Sequence, residues 1–95
     1  MIEVSKEKTK YKAEFTTRMK KDFKRILKRN YNIEEFVYVV QKLLNGLPLE
    51  EKYQDHALKN HRELHIRPDW LLIYQIKDDV LILELTRTGT HSDLF

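Results

Sequence analysis

From Tyr11 onward the apolar positions recur every four residues, at Tyr11, Phe15, Met19 and Phe23, and continue at Ile26 and Leu27. Side chains at that spacing share one face of an α-helix. Lys12, Arg18, Lys20, Lys21, Lys24, Arg25 and Lys28 fill the intervening positions, so an amphipathic helix with a basic outer surface is predicted from Tyr11. Such a helix can lie on a membrane, but its apolar face equally suits burial against a sheet. Residues 1–5 alternate Ile2 and Val4 with Glu3 and Ser5, which predicts a short strand ahead of it.

A second helix has readable ends. Asn32 is a good N-cap, and Glu35 at N3 completes a capping-box pattern. Tyr31 and Phe36 are spaced for a hydrophobic staple. Phe36, Val37, Val40, Leu43 and Leu44 form the predicted apolar stripe. Gly46 is placed to end the helix with positive φ, and Pro48 blocks continuation. Residues 29–31 are the only link to the first helix, which predicts an antiparallel hairpin.

After a loop over residues 47–60 the period becomes two. Leu64 and Ile66 alternate with Glu63, His65 and Arg67, and Pro68 interrupts the run. Residues 70–74 resume it as a strongly apolar strand. Lys77, Asp78 and Asp79 make a polar turn, and residues 80–85 form another strand ending at Thr86 or Arg87. The expected architecture is α+β. An N-terminal strand and helical hairpin pack on one face of a small, mainly antiparallel sheet, and the other face carries polar side chains at strand ends.

Composition bounds this picture. With 95 residues, 41% hydrophobic and 35% charged, the chain suits a single domain over residues 1–95. Cys is absent, which removes disulfide and thiol chemistry and is compatible with the cytoplasm. The opening residues hold no apolar core of a standard secretory signal, and no apolar stretch reaches the roughly 18 residues of a membrane span. The net charge of +3 is uneven. Residues 1–48 carry 12 Lys or Arg against 6 Asp or Glu, and residues 49–95 carry 6 against 9. A basic helical surface beside a histidine-bearing sheet suits a polyanion substrate, although a solvated helix face has the same composition.

The residues able to do chemistry are His56, His61, His65 and His91, together with Asp69 and Arg87. RNA cleavage through its own 2′-hydroxyl needs a base, an acid and a cation for the phosphorane. Histidine serves as either base or acid, and Arg offers a fork of donors to phosphate. Asp orients an imidazole or acts as a base, and Trp70 or Phe95 offers a stacking surface. Each residue also has a plain structural reading. The histidines suit a hydrogen-bonded surface, Asp69 a turn, Trp70 the core, and Phe95 the core edge. A metal site on His56, His61, His65 and Asp69 is chemically possible, but the spacing matches neither HExxH nor a zinc finger.

Three segments carry a specific pattern. They are Tyr53-Gln54-Asp55-His56-Ala57-Leu58, Arg62-Glu63-Leu64-His65-Ile66-Arg67-Pro68-Asp69-Trp70-Leu71-Leu72-Ile73-Tyr74, and Arg87-Thr88-Gly89-Thr90-His91-Ser92-Asp93-Leu94-Phe95. In these the chain resembles the YafQ-like branch of the RelE/ParE superfamily of bacterial type II toxins. The resemblance implies a ribosome-dependent messenger RNA endoribonuclease that needs no metal or cofactor. It implies functional roles for His56, His65, Asp69, Arg87, His91 and Phe95. His91 is the implied general acid and Arg87 the phosphate stabiliser, with the base left among His56, His65 and Asp69. Implied partners are a cognate antitoxin, the ribosome with its messenger RNA, and operator DNA only through the antitoxin complex; no membrane partner is implied. Lys20, Lys21, Lys24, Arg25, Lys28, Arg62, Arg67 and Trp70 are candidates for RNA or ribosome binding. One departure is a shorter link between His56 and His65 that lacks the family's usual Gly, where Asn60 is expected to supply the turn. Another branch of the superfamily poisons DNA gyrase without cleaving anything, and a simple RNA-binding module is a third possibility.

Overall fold

A computed structural model describes residues 9–95. Its elements run β1 (Lys12–Phe15), α1 (Thr17–Lys28), α2 (Ile33–Leu44), a 3-10 turn (Glu51–Tyr53), β2 (His56–Ala57), β3 (Arg62–Arg67), β4 (Trp70–Lys77), β5 (Ile82–Gly89) and α3 (His91–Leu94). The strand expected at residues 1–5 lies outside the described residues.

The first helix begins later than its apolar period predicts. Residues 12–15 are a strand, and Thr16 converts strand to helix. Its hydroxyl accepts from the Met19 amide at 3.0 Å, capping α1, and donates to the Thr86 carbonyl at 2.7 Å. Leu27 faces solvent, while Met19, Phe23 and Ile26 are buried. In α2 the Asn32 side-chain oxygen Oδ1 accepts from the Glu34 amide at 3.0 Å, so the cap forms without the expected box. Glu35 instead accepts from the Tyr53 hydroxyl at 2.9 Å and pairs with Arg67 at 2.7 Å. Val39, not Val37, lies on the buried face. Gly46 does take positive φ, at 67°, just past the helix.

The sheet order is β1-β5-β4-β3-β2. The outer β1 pairs parallel with β5, from Lys12↔Ile82 to Phe15↔Leu85, and the other pairings are antiparallel. Val80 and Leu81, expected in a strand, are exposed in the turn, where Leu81 adopts φ 54°. β5 therefore starts at Ile82 and runs on to Gly89. Between β4 and β5 the register jumps from Ile73↔Arg87 to Tyr74↔Leu85, which leaves Thr86 as the extra residue of a bulge.

One core joins the helices to one face of the sheet. Met19, Phe23 and Ile26 of α1 and Phe36, Val39 and Val40 of α2 meet Leu64, Leu72, Leu83 and Leu85. Each such side chain contributes about 1.5–3 kcal/mol by leaving water. Trp70 stacks on Phe36 with ring centroids 6.0 Å apart and meets Tyr31 edge-on at 5.0 Å. The staple expected between Tyr31 and Phe36 is thus bridged by the indole. Among the described residues, no helix is long and apolar enough to cross a membrane.

Candidate functional site

Residues paired across a sheet share a face. With Leu64, Leu72 and Tyr74 in the core, the alternate positions face away from the helices. Two rows follow from the register. One runs His56↔Glu63↔Ile73↔Arg87, and the next runs His65↔Leu71↔Gly89. Immediately after Gly89 the chain turns into α3, which carries His91, and ends at Phe95. The period of two thus gathers histidines from β2, β3 and α3 over the face that the helices leave open.

The side chains form a line of rings. Centroids are 6.5 Å apart for His56 and His65, 6.1 Å for His65 and His91, and 6.2 Å for His91 and Phe95. Asp69 lies on the turn after β3, with its carboxylate 3.8 Å from Nδ1 of His91. Both side chains are open to solvent, as is Phe95.

The ring nitrogens differ in their partners. Nδ1 of His65 lies 3.2 Å from the Pro68 carbonyl. A carbonyl only accepts, so this contact puts a proton on Nδ1, and in the neutral ring the lone pair is then on Nε2. His56 has an acceptor at each nitrogen: the Gln54 carbonyl at 2.7 Å from Nδ1 and Glu63 at 3.1 Å from Nε2. Only a doubly protonated ring donates to both.

The short His56 strand is held from behind. The Tyr74 hydroxyl donates to Asp55 at 2.7 Å, and Arg62 Nε approaches both Asp55 and the Tyr74 oxygen at 3.3 Å. Burial first, and then the bond to Asp55, push the Tyr74 phenol well above its ordinary range. The link after His56 closes as a tight hairpin through a bond from the Leu58 amide to the His61 carbonyl at 2.7 Å. Asn60 does not take positive φ there; among the described residues Asn30, Gln54 and Leu81 are the non-glycine positions that do.

Arg87 does not stand free beside the rings. Its Nε and one terminal nitrogen donate to Asp22 of α1 at 2.7 and 3.0 Å. Asp22 also accepts from the Thr88 amide at 3.2 Å. One guanidinium nitrogen is left outside this pairing, and the guanidinium is fixed rather than swinging.

Several binding candidates have structural partners. Trp70 is 2% exposed and donates from Nε1 to Thr88 at 2.8 Å, so its ring is a core element and not a surface for stacking RNA. Arg25 is partly buried between Asp22 at 3.6 Å and Asp93 at 3.7 Å. Arg62 is engaged with Asp55, and Arg67 with Glu35. Lys20, Lys21, Lys24 and Lys28 remain exposed on α1. His61 lies apart from the other three histidines, 3.9 Å from Glu84. Among the described residues no group of three or more metal-ligating side chains converges.

Sequence reasoning passed over Glu63, Asp22 and Asp93. Glu63 was legible in principle, since it shares the His65 side of an alternating strand. Asp22 is buried on the apolar side of a basic helix, where a carboxylate needs a partner. Asp93 lies at N3 of α3 and closes a capping box with Thr90.

Comparison with known proteins agrees with this architecture. The chain is 40% identical over 87 residues to the mRNA interferase toxin YafQ of Escherichia coli BL21-DE3, covering 86% of this chain and 92% of that one. It is 37% identical over 90 residues to the putative toxin YafQ of Haemophilus influenzae, covering 85% and 88%. The fold matches the toxin in the crystal structure of the E. coli DinJ-YafQ toxin-antitoxin complex, with a TM-score of 0.83 at 37% identity over 90% of this chain and 98% of that one. It also matches a metal-bound toxin from Helicobacter pylori, with a TM-score of 0.86 at 39% identity over 90% and 99%. The family described as "Bacterial toxin of type II toxin-antitoxin system, YafQ" matches residues 11–95, and the chain belongs to that family.

Proposed function

We propose that this protein is a ribosome-dependent messenger RNA endoribonuclease, the toxin of a toxin–antitoxin pair, cleaving by acid–base chemistry at the line of rings. The observation that carries the reading is the approach of His65 and His91, 6.1 Å between ring centroids, with Asp69 beside His91. Two imidazoles at this separation can reach one phosphate from two sides, each across about 2.6–3.2 Å.

His65 is the base. Its Nε2 lone pair takes the proton of the 2′-hydroxyl, and the 2′-oxygen forms a bond to phosphorus. His91, oriented by Asp69, gives a proton to the 5′-oxygen as the P–O5′ bond breaks. The products are a 2′,3′-cyclic phosphate and a 5′-hydroxyl, and no electrons change hands. Arg87 stabilises the phosphorane with the nitrogen that Asp22 leaves outside its pairing. His56, beside Glu63, is a further acid–base group near the phosphate path. Phe95 positions the nucleotide by stacking at the far end of the line. The exposed lysines of α1 hold ribosomal or messenger phosphates. A cognate antitoxin covers this surface, as DinJ is named with the E. coli relative, and any operator DNA contact runs through the antitoxin.

The test is cleavage of a defined messenger RNA on translating ribosomes, with end groups mapped for wild type and His91→Ala. The expected result is a 5′-hydroxyl product and a loss of about 10²- to 10⁴-fold in the variant. Undiminished cleavage by His91→Ala, or a 5′-phosphate product, would overturn the mechanism. Growth arrest without RNA cleavage would favour a toxin that acts by binding.

A further inference from the structure

Resting on the nuclease reading above, we propose that Arg29 and Asp93 are positioning residues, whose ion pair holds the one-turn helix that carries His91 and Phe95 in its working place. Helix α3 spans four residues, none of them buried. A single turn has little stability of its own, because its nucleation cost is spread over too few bonds. His91 and Phe95 are both exposed, so packing does not fix them either.

Asp93 supplies what packing does not. One carboxylate oxygen accepts from the Thr90 amide at 2.9 Å, closing the cap. The carboxylate also receives the Arg29 fork, with bonds of 2.6 and 3.0 Å. Arg29 is the C-cap residue of α1, a rigid element buried along its other side. The pair therefore ties the tail to the helical layer. Asp93 lies two residues from His91 and two from Phe95, so its anchorage fixes both ends of the turn. The backbone is built for close seating. Gly89 has φ 153°, and a Cβ there would come within 2.9 Å of the Asp93 side chain. The Arg29 contact, followed by the Thr90 amide, holds the Asp93 carboxyl well below the usual carboxylate range.

The test compares full-length Arg29→Ala, Arg29→Lys and Asp93→Asn with wild type in two readouts. In single-turnover cleavage on the ribosome, Arg29→Ala should lose roughly 10- to 100-fold in rate with its half-saturating concentration unchanged, as for a misplaced acid. Arg29→Lys should recover part of that loss. By NMR, the ring-to-ring contacts of His91 with Phe95 should vanish in Arg29→Ala and Asp93→Asn while His56 and His65 signals stay in place. Asn still offers the capping oxygen, so a tail loosened by Asp93→Asn separates the ion pair from the cap. Retained His91–Phe95 contacts in Arg29→Ala would overturn the proposal, as would a rate within twofold of wild type. If wild type cleaves nothing, the nuclease reading falls, and the NMR arm still decides whether the pair seats the tail.

Discussion

Replacing Asp22 by Asn removes one charge from a side chain that is 2% exposed and keeps its volume. Three hydrogen-bond donors then lose a carboxylate, Arg87 Nε at 2.7 Å, a second Arg87 nitrogen at 3.0 Å and the Thr88 amide at 3.2 Å, and Arg25 loses an ion-pair partner at 3.6 Å. Removing one partner of a buried ion pair costs about 3–5 kcal/mol. Two features reduce this. The Arg87 side chain is 22% exposed, so water reaches part of the stranded guanidinium. The Asn carbonyl can still serve the Thr88 amide. The net expectation is a loss of about 2–3 kcal/mol, or roughly 10–20 °C in Tm for a domain of this size. Thermal unfolding followed by circular dichroism measures it. Single-turnover cleavage should also slow, because Arg87 loses the contact that fixes its guanidinium. A Tm within about 2 °C of wild type would refute the claim that Asp22 anchors Arg87.

Other outcomes follow from the same contacts. Burial and then Glu35 push the Tyr53 phenol up to about 12, against about 10 in the unfolded chain. The folded state therefore keeps this proton longer, so its contribution is whole below pH ~10 and drains as pH rises through the folded value. Urea midpoints between pH 9 and 11.5 should fall more steeply for wild type than for Tyr53→Phe, and parallel curves would count against the assignment. Trp70→Phe should cost about 1–3 kcal/mol through the lost Thr88 bond while leaving the half-saturating ribosome concentration unchanged; weaker ribosome binding would mean that the indole meets RNA after all. Charge reversal of Lys20 and Lys24 should lower the salt dependence of ribosome association by about one unit of slope per lost phosphate contact, and an unchanged slope would remove α1 from the interface.

The sequence pattern located α2, β3 and β4 well, because Asn32, Gly46 and the alternation at Leu64 and Ile66 are local signals, whereas β2 falls in the stretch read as a loop. It misread residues 11–15 for a specific reason. A spacing of four fits one helical face, but four is also a multiple of two, so Tyr11 and Phe15 equally share one side of a strand. The pairing with β5 decides the matter, and that pairing spans 70 residues, as at Lys12↔Ile82. The missed local clue was Thr16, a good N-cap. Val80 and Leu81 misled in the opposite way, as apolar residues that the tight turn leaves in water. The site residues His56, His65 and His91 were visible as types. What a single sequence did not reveal was that Arg87 is held by a buried carboxylate on the far side of the chain, or that the tail leans on Arg29.

The parallel pairing of β1 with β5 also orders events during synthesis. As the chain leaves a ribosome, β1 waits for a neighbour that is made 70 residues after it, as at Lys12↔Ile82. Helices and the middle hairpin can form while waiting, but the sheet stays open along that edge until residues 82–89 have emerged. His91 comes later still. No nascent fragment lacking the final strand can assemble the cleavage chemistry proposed here, so a half-made copy is harmless to the machinery translating it.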